Sequence, residues 1–125
     1  MNDTRLIENP QALDQYVDMM GAEGVEFVID IIDSFLQDTP NNWRLLTKSM
    51  NEKDAVTFRR AAHTLKTGCA TVGAMSLSEK FLTLEQAGKD NNILGAKSIM
   101  SNCKNELILL AKELQRKKSY LQKGF

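Results

Sequence analysis

Residues 55–73 read AVTFRRAAHTLKTGCATVG, and their spacing decides the fold. Ala55, Phe58, Ala62, Leu65, Cys69 and Val72 recur at three- and four-residue steps, the repeat of one face of an α-helix rather than the alternation of a strand. Asn51 and Asp54 mark a fresh N-terminus before this stripe, and Gly73 ends it. With Ala62 at zero and about 100° per residue, the stripe lies between about +20° and about −80°. His63, the sole histidine in the chain, falls at about 100° on the same wheel, off the core face. Arg59 stands one turn before it, Lys66 and Thr67 one turn after, and Ala70 two turns after.

The same helical step extends in both directions. Asn9 as N-cap and Pro10 as first helical residue open a short helix with Leu13, Tyr16, Val17 and Met20 on one face and Gly21 as its stop. Val25, Val28, Ile32, Phe35, Thr39, Trp43, Leu46 and Met50 hold one phase across Pro40. That phase predicts one long kinked helix, with a break at Thr39 as the alternative. Downstream, Ser76 and Glu79 match a capping box ahead of Leu77, Phe81 and Leu84, with Gly88 as the stop. From Asn92, the positions Ile93, Ala96, Met100, Cys103, Leu107, Leu110 and Leu114 sustain a long last helix. Short loops between helices with one apolar stripe each predict an all-α fold, an antiparallel up-down four-helix bundle with a short extra N-terminal helix.

A chain of 125 residues, 42% hydrophobic, has material for one core and is expected to form a single domain over residues 1–125. No apolar run approaches the roughly 18 residues that span a bilayer, and the acidic start MNDTRLIENP does not resemble a signal peptide. A cytoplasmic protein away from membranes is expected. Cys69 and Cys103 fall on apolar faces and read as reduced core residues. Net charge is zero, yet residues 1–40 carry nine acids and one base while residues 41–125 carry seven acids and fifteen bases. Either the two halves pack against each other or the basic half faces an acidic partner. The basic residues are spread along helices with few aromatics among them, which argues against a nucleic-acid partner.

An imidazole is largely neutral near pH 7 and keeps one ring nitrogen free to attack. Beside Lys66 and Arg59, two like charges, the neutral ring is favoured. Once a phosphoryl group is on the ring, the Lys66 ammonium becomes a partner for its oxygens. Gly68 and Gly73 inside this segment suggest close approach, by a packed helix or by a partner.

HTLKTGCATVGA resembles the HxLKGxxxxxG signature of histidine-containing phosphotransfer (HPt) domains: His63, Leu65, Lys66 and Gly73 match in spacing, and RRAAHTLK and LEQAGKDNN look like the family's flanks. The sequence departs where the family's glycine four residues after the histidine is Thr67. The resemblance implies a phosphorelay carrier rather than an enzyme in its own right. His63 would take a phosphoryl group, through Nε2, from a receiver-domain aspartate and pass it to another. Partners would be response-regulator receiver domains and a hybrid sensor kinase. No cofactor is expected in this chain, since the magnesium would sit in the receiver, and no metal ligands are expected. A monomer is expected.

The resemblance also places Lys66 as phosphate stabiliser and Glu85, twenty-two residues on, as the carboxylate that orients the ring. Arg59, Thr67 and Ala70 are expected at the docking face, with Val17, Met20 and Val28 as an apolar patch beside His63. Thr67 either narrows the approach to the ring, the favoured reading for a β-branched side chain, or uses its hydroxyl on the phosphoryl oxygens or on a carbonyl one turn back. The rival function is a helical adaptor that binds signalling partners without phosphoryl transfer.

Overall fold

The apolar stripes fold as read. A computed structural model describes residues 5–124 and sets five α-helices in the order α1 Gln11–Met20, α2 Ala22–Asn51, α3 Ala55–Thr71, α4 Met75–Lys89 and α5 Lys97–Gln122. A single 3-10 turn, Ile93–Ala96, leads into α5, so the last helix starts later than the sequence suggests. Among the described residues there is no strand, and no helix is long and apolar enough to cross a membrane.

α2 runs unbroken through Pro40, which rules out the break at Thr39. Proline withholds one backbone donor. The helix continues because Phe35 before it and Leu46 after it are both buried on the same side. α2, α3, α4 and α5 pack in a ring, each on its neighbours in sequence and α5 back onto α2. Short turns at 52–54 and 72–74 reverse the chain between α2, α3 and α4, and ion pairs tie in α5: Asp33 of α2 meets Lys118 of α5 at 2.6 Å, and Lys80 of α4 meets Glu106 of α5 at 2.8 Å. Exposed pairs of this kind contribute little stability. The core does more: Val28, Ile32, Phe58, Leu65, Phe81, Leu84, Leu110 and Leu114 are almost wholly removed from water. Cys69 and Cys103 belong to it as free thiols, and burial pushes the Cys69 thiol up to about 12.

Local chemistry departs from the sequence reading at three helix ends. Asp54 does cap α3, accepting from Thr57 N at 3.1 Å. The proposed box of Ser76 and Glu79 does not cap α4, which begins two residues earlier behind Ala74. Its free N–H groups are met instead by Glu8, whose Oε1 accepts from Met75 N at 2.8 Å and Ser76 N at 3.3 Å. Asn9 makes no side-chain cap on α1; its backbone N–H donates to Gly73 O at 3.0 Å. Gly73 has φ +90, and a Cβ there would lie 2.2 Å from Asn9 O, so only glycine fits this turn. With Leu6 and Ile7 buried, the segment before α1 straps down the α3–α4 turn.

Gly88 is the third departure, since α4 passes through it to Lys89 and the chain turns at Asn91, φ +55. A Cβ on Gly88 would meet Arg59 Cβ at 2.9 Å, Cα at 3.0 Å and N at 3.1 Å. The residue is buried because α3 and α4 touch backbone to backbone there.

Gly88→Ala is therefore expected to cost about 1–3 kcal/mol, read as a lowered thermal midpoint, because the obstacle is main chain that cannot swing aside. An unchanged midpoint would mean that α4 retreats freely. Glu8→Ala is expected to cost about 1 kcal/mol at neutral pH through the lost cap. Partial burial would raise the Glu8 carboxyl, but the Ser76 and Met75 hydrogen bonds outweigh it and hold the group below its usual range. Its folded pKa is thus below its unfolded one, so the stabilisation is present above the ordinary carboxylate range and is lost as pH falls through the lowered value. The gap between wild type and Glu8→Ala should close in acid; a gap that persists unchanged there contradicts the capping role.

Candidate functional site

α3 brings His63 to the surface about a third of a turn away from the centre of its buried face, and 57% of the side chain is exposed. Opposite stands Glu85 on α4, 15% exposed, with Oε2 3.0 Å from His63 Nδ1. The other oxygen, Oε1, lies 2.7 Å from Lys66 Nζ, whose side chain is 25% exposed. Glu85 thus bridges the two α3 residues. Partial burial would raise its carboxyl, but hydrogen bonds and charge from Lys66 and His63 hold it below the usual range. An ionised carboxylate only accepts, so Nδ1 is the donor to it, and in the neutral ring the lone pair is then on Nε2. The Lys66 charge is paired with Glu85 rather than turned on the ring, so the sequence argument from like charges omits the nearest charged group.

Two contacts set this geometry. Ser78, buried on α4, donates its hydroxyl to Lys66 O at 2.9 Å. Three residues beyond Glu85, Gly88 rests on the Arg59 backbone. Glu85 lies between these fixed points, aimed at α3.

Two grooves flank His63. One, between α2 and α3, is floored by Phe27, Ile31 and Phe35 and edged by Asp30, Asp38, Thr67 and Gly68. The other, between α3 and α4, holds Arg59, Arg60 and Lys89 beside His63 and Glu85. Thr67 faces the first groove, and its hydroxyl donates to His63 O at 3.0 Å, the carbonyl one turn back. Gly68 lies toward α2, where a Cβ would touch the Phe35 ring at 3.5 Å.

The structure therefore gathers His63, Lys66 and Glu85, with Thr67 beside them and Arg59 in the basic groove. Ala70 is half-buried and lines neither groove. Val28 is corrected: it is 0% exposed, a core residue in phase with Ile32 and Phe35, and cannot belong to a surface patch. Val17 is half-buried and Met20 is 45% exposed, but neither lines a groove next to His63. The apolar surface adjoining His63 comes from Phe27, 43% exposed, and Ile31. Both were overlooked in the sequence. The available signal is that Phe27, Ile31, Ser34 and Asp38 form a second line at helical spacing, out of phase with the core stripe of α2. No group of three or more His, Cys, Asp or Glu side chains that could hold a metal ion occurs among the described residues.

The crystal structure of histidine-containing phosphotransfer protein B (HptB) from Pseudomonas aeruginosa PAO1 matches with a TM-score of 0.79 at 20% sequence identity, covering 90% of this chain and 94% of that one. At that identity the likeness shows a shared fold. No curated protein matches the chain. The family model for the Hpt domain matches residues 30–118, which include α3, α4 and all three residues of the bridge. The chain belongs to the Hpt domain family, the histidine phosphotransfer carriers of phosphorelays.

Proposed function

We propose that His63 is the residue that carries the phosphoryl group, that Nε2 is the reacting atom, and that the donor and acceptor are aspartates of receiver domains. What carries this reading is the free Nε2 of an exposed ring whose Nδ1 is held by Glu85. Nε2 attacks the phosphorus of an aspartyl phosphate; the N–P bond forms as the P–O bond breaks, and the aspartate leaves with the electron pair as a carboxylate. The ring keeps its Nδ1 proton and becomes cationic, and the Glu85 carboxylate balances that charge. Onward transfer is the reverse, with the acceptor carboxylate as nucleophile. The divalent cation that screens phosphoryl oxygens in such a step belongs to the receiver on this reading, and the chain acts as a carrier in the cytoplasm, as a monomer.

Docking uses the α2–α3 groove, with Phe27 and Ile31 in place of Val28, and Arg59 with Arg60 and Lys89 steers an acidic receiver surface toward the ring. Thr67 narrows the approach. Its hydroxyl is occupied by His63 O, which fixes the rotamer and keeps the methyl group beside the path to the ring.

Incubation with a phosphorylated receiver should place acid-labile, base-stable label on this chain, and His63→Gln should abolish it with helical circular dichroism intact. Label remaining on the variant would remove His63 from the mechanism. Thr67→Gly should speed transfer from receivers while costing roughly 0.5 kcal/mol of stability from helix propensity. Slower transfer without loss of fold would assign the effect to the hydroxyl instead.

A further inference from the structure

We infer that Glu85 restrains Lys66 from the phosphoryl group, so that phospho-His63 is held as a ready donor rather than as a store. This rests on the reading of His63 as the phosphorylated residue. The observation behind it is Glu85 Oε1, a buried oxygen with no hydrogen-bond partner among the described residues besides the Lys66 ammonium. Its one counter-charge is Lys66 Nζ at 2.7 Å, while Oε2 is taken by His63 Nδ1 at 3.0 Å. If Lys66 swung away to a phosphoryl group, it would leave a carboxylate oxygen buried and unpaired, an arrangement that is strongly penalised.

Glu85 cannot withdraw to relieve this. Two turns before it, Ser78 is bonded to the Lys66 carbonyl; three residues after it, Gly88 is in contact with the Arg59 backbone. The helix that carries Glu85 is therefore fixed to α3 on both sides of the bridge. When a phosphoryl group arrives on Nε2, two anions compete for one ammonium. Lys66 stays divided between them, the phosphorylated state gains less than a free lysine would give, and the group leaves more readily for a receiver.

Glu85→Gln separates the parts. Its amide oxygen can still accept from Nδ1–H, so the ring orientation is kept, whereas the charge that holds Lys66 is gone. After phosphorylation by a receiver loaded with labelled phosphate, the partition of label between His63 and the receiver is measured at equilibrium for wild type, Glu85→Gln, Lys66→Ala and the double variant. Circular dichroism checks that each is folded. Glu85→Gln should shift the partition toward His63 by about tenfold, the worth of one charge-assisted hydrogen bond, and lengthen the phosphohistidine lifetime. In the Lys66→Ala background the same change should have almost no effect, because no lysine remains to be released.

An unchanged partition in Glu85→Gln overturns the inference. So does an equal shift with and without Lys66, which would make the carboxylate a direct repellent of the phosphoryl group. If wild type takes no label at all, the carrier reading itself fails and the inference falls with it.

Discussion

The bundle's function turns on how closely α3 and α4 approach each other. At Gly88 the two backbones meet with room for a hydrogen and no more, as the 2.9–3.1 Å distances from a hypothetical Cβ to Arg59 show. A residue with any side chain there would lever the helices apart along the same face that carries Glu85. A glutamate side chain is short, and its reach to both His63 and Lys66 depends on this spacing. The cost of a glycine inside a helix, about 1 kcal/mol relative to alanine, is offset by the contacts that close packing allows.

That close contact also decides the electrostatics. A carboxylate 15% exposed, facing one ring nitrogen and one ammonium, remains ionised because its partners outweigh its burial. Ionisation in turn fixes which nitrogen of His63 holds the proton. Packing at Gly88, charge at Glu85 and the lone pair at Nε2 thus form one chain of cause, and each link requires the one before it. The threonines on α3 that line the α2–α3 groove, Thr64, Thr67 and Thr71, each donate to the carbonyl four residues back, which occupies their hydroxyl protons within the helix.

Much of this fold was legible in the sequence because helical periodicity reports burial directly. The stripes through Val28 and Ile32, Phe58 and Leu65, Phe81 and Leu84, and Leu107 and Leu110 are buried as their phase requires. Contacts distant in the chain were not legible. Glu8 caps α4 from 67 residues away, and nothing at Ser76 or Glu79 signals that their own box is displaced. Gly88 near the end of a helix looks the same whether it stops the helix or admits a neighbour, and only the neighbour distinguishes the two. Val28 illustrates a different failure: hydrophobicity suggested docking, whereas its phase already assigned it to the core. Phe27 and Ile31 carry the complementary signal, apolar residues out of phase with their helix. Glu85 entered through the family resemblance, since no periodicity connects it to His63.

The charge asymmetry along the chain acquires a physical meaning only in three dimensions. Part of it is internal, since Asp14 pairs with Lys117 and Asp33 with Lys118. The remainder is divided across His63. Asp30 and Asp38 edge the groove toward α2, and Arg59, Arg60 and Lys89 line the groove toward α4. These five side chains make no ion pair among the described residues. A surface of one sign would attract any partner of the other, but a face that is acidic on one side of the ring and basic on the other resists a partner turned the wrong way round. On the carrier reading this matters because in-line transfer tolerates little misalignment between nitrogen and phosphorus, and complementary charge sets orientation and encounter rate more than it sets affinity. Phe27 and Ile31 then supply the apolar contact that a correctly turned partner can bury.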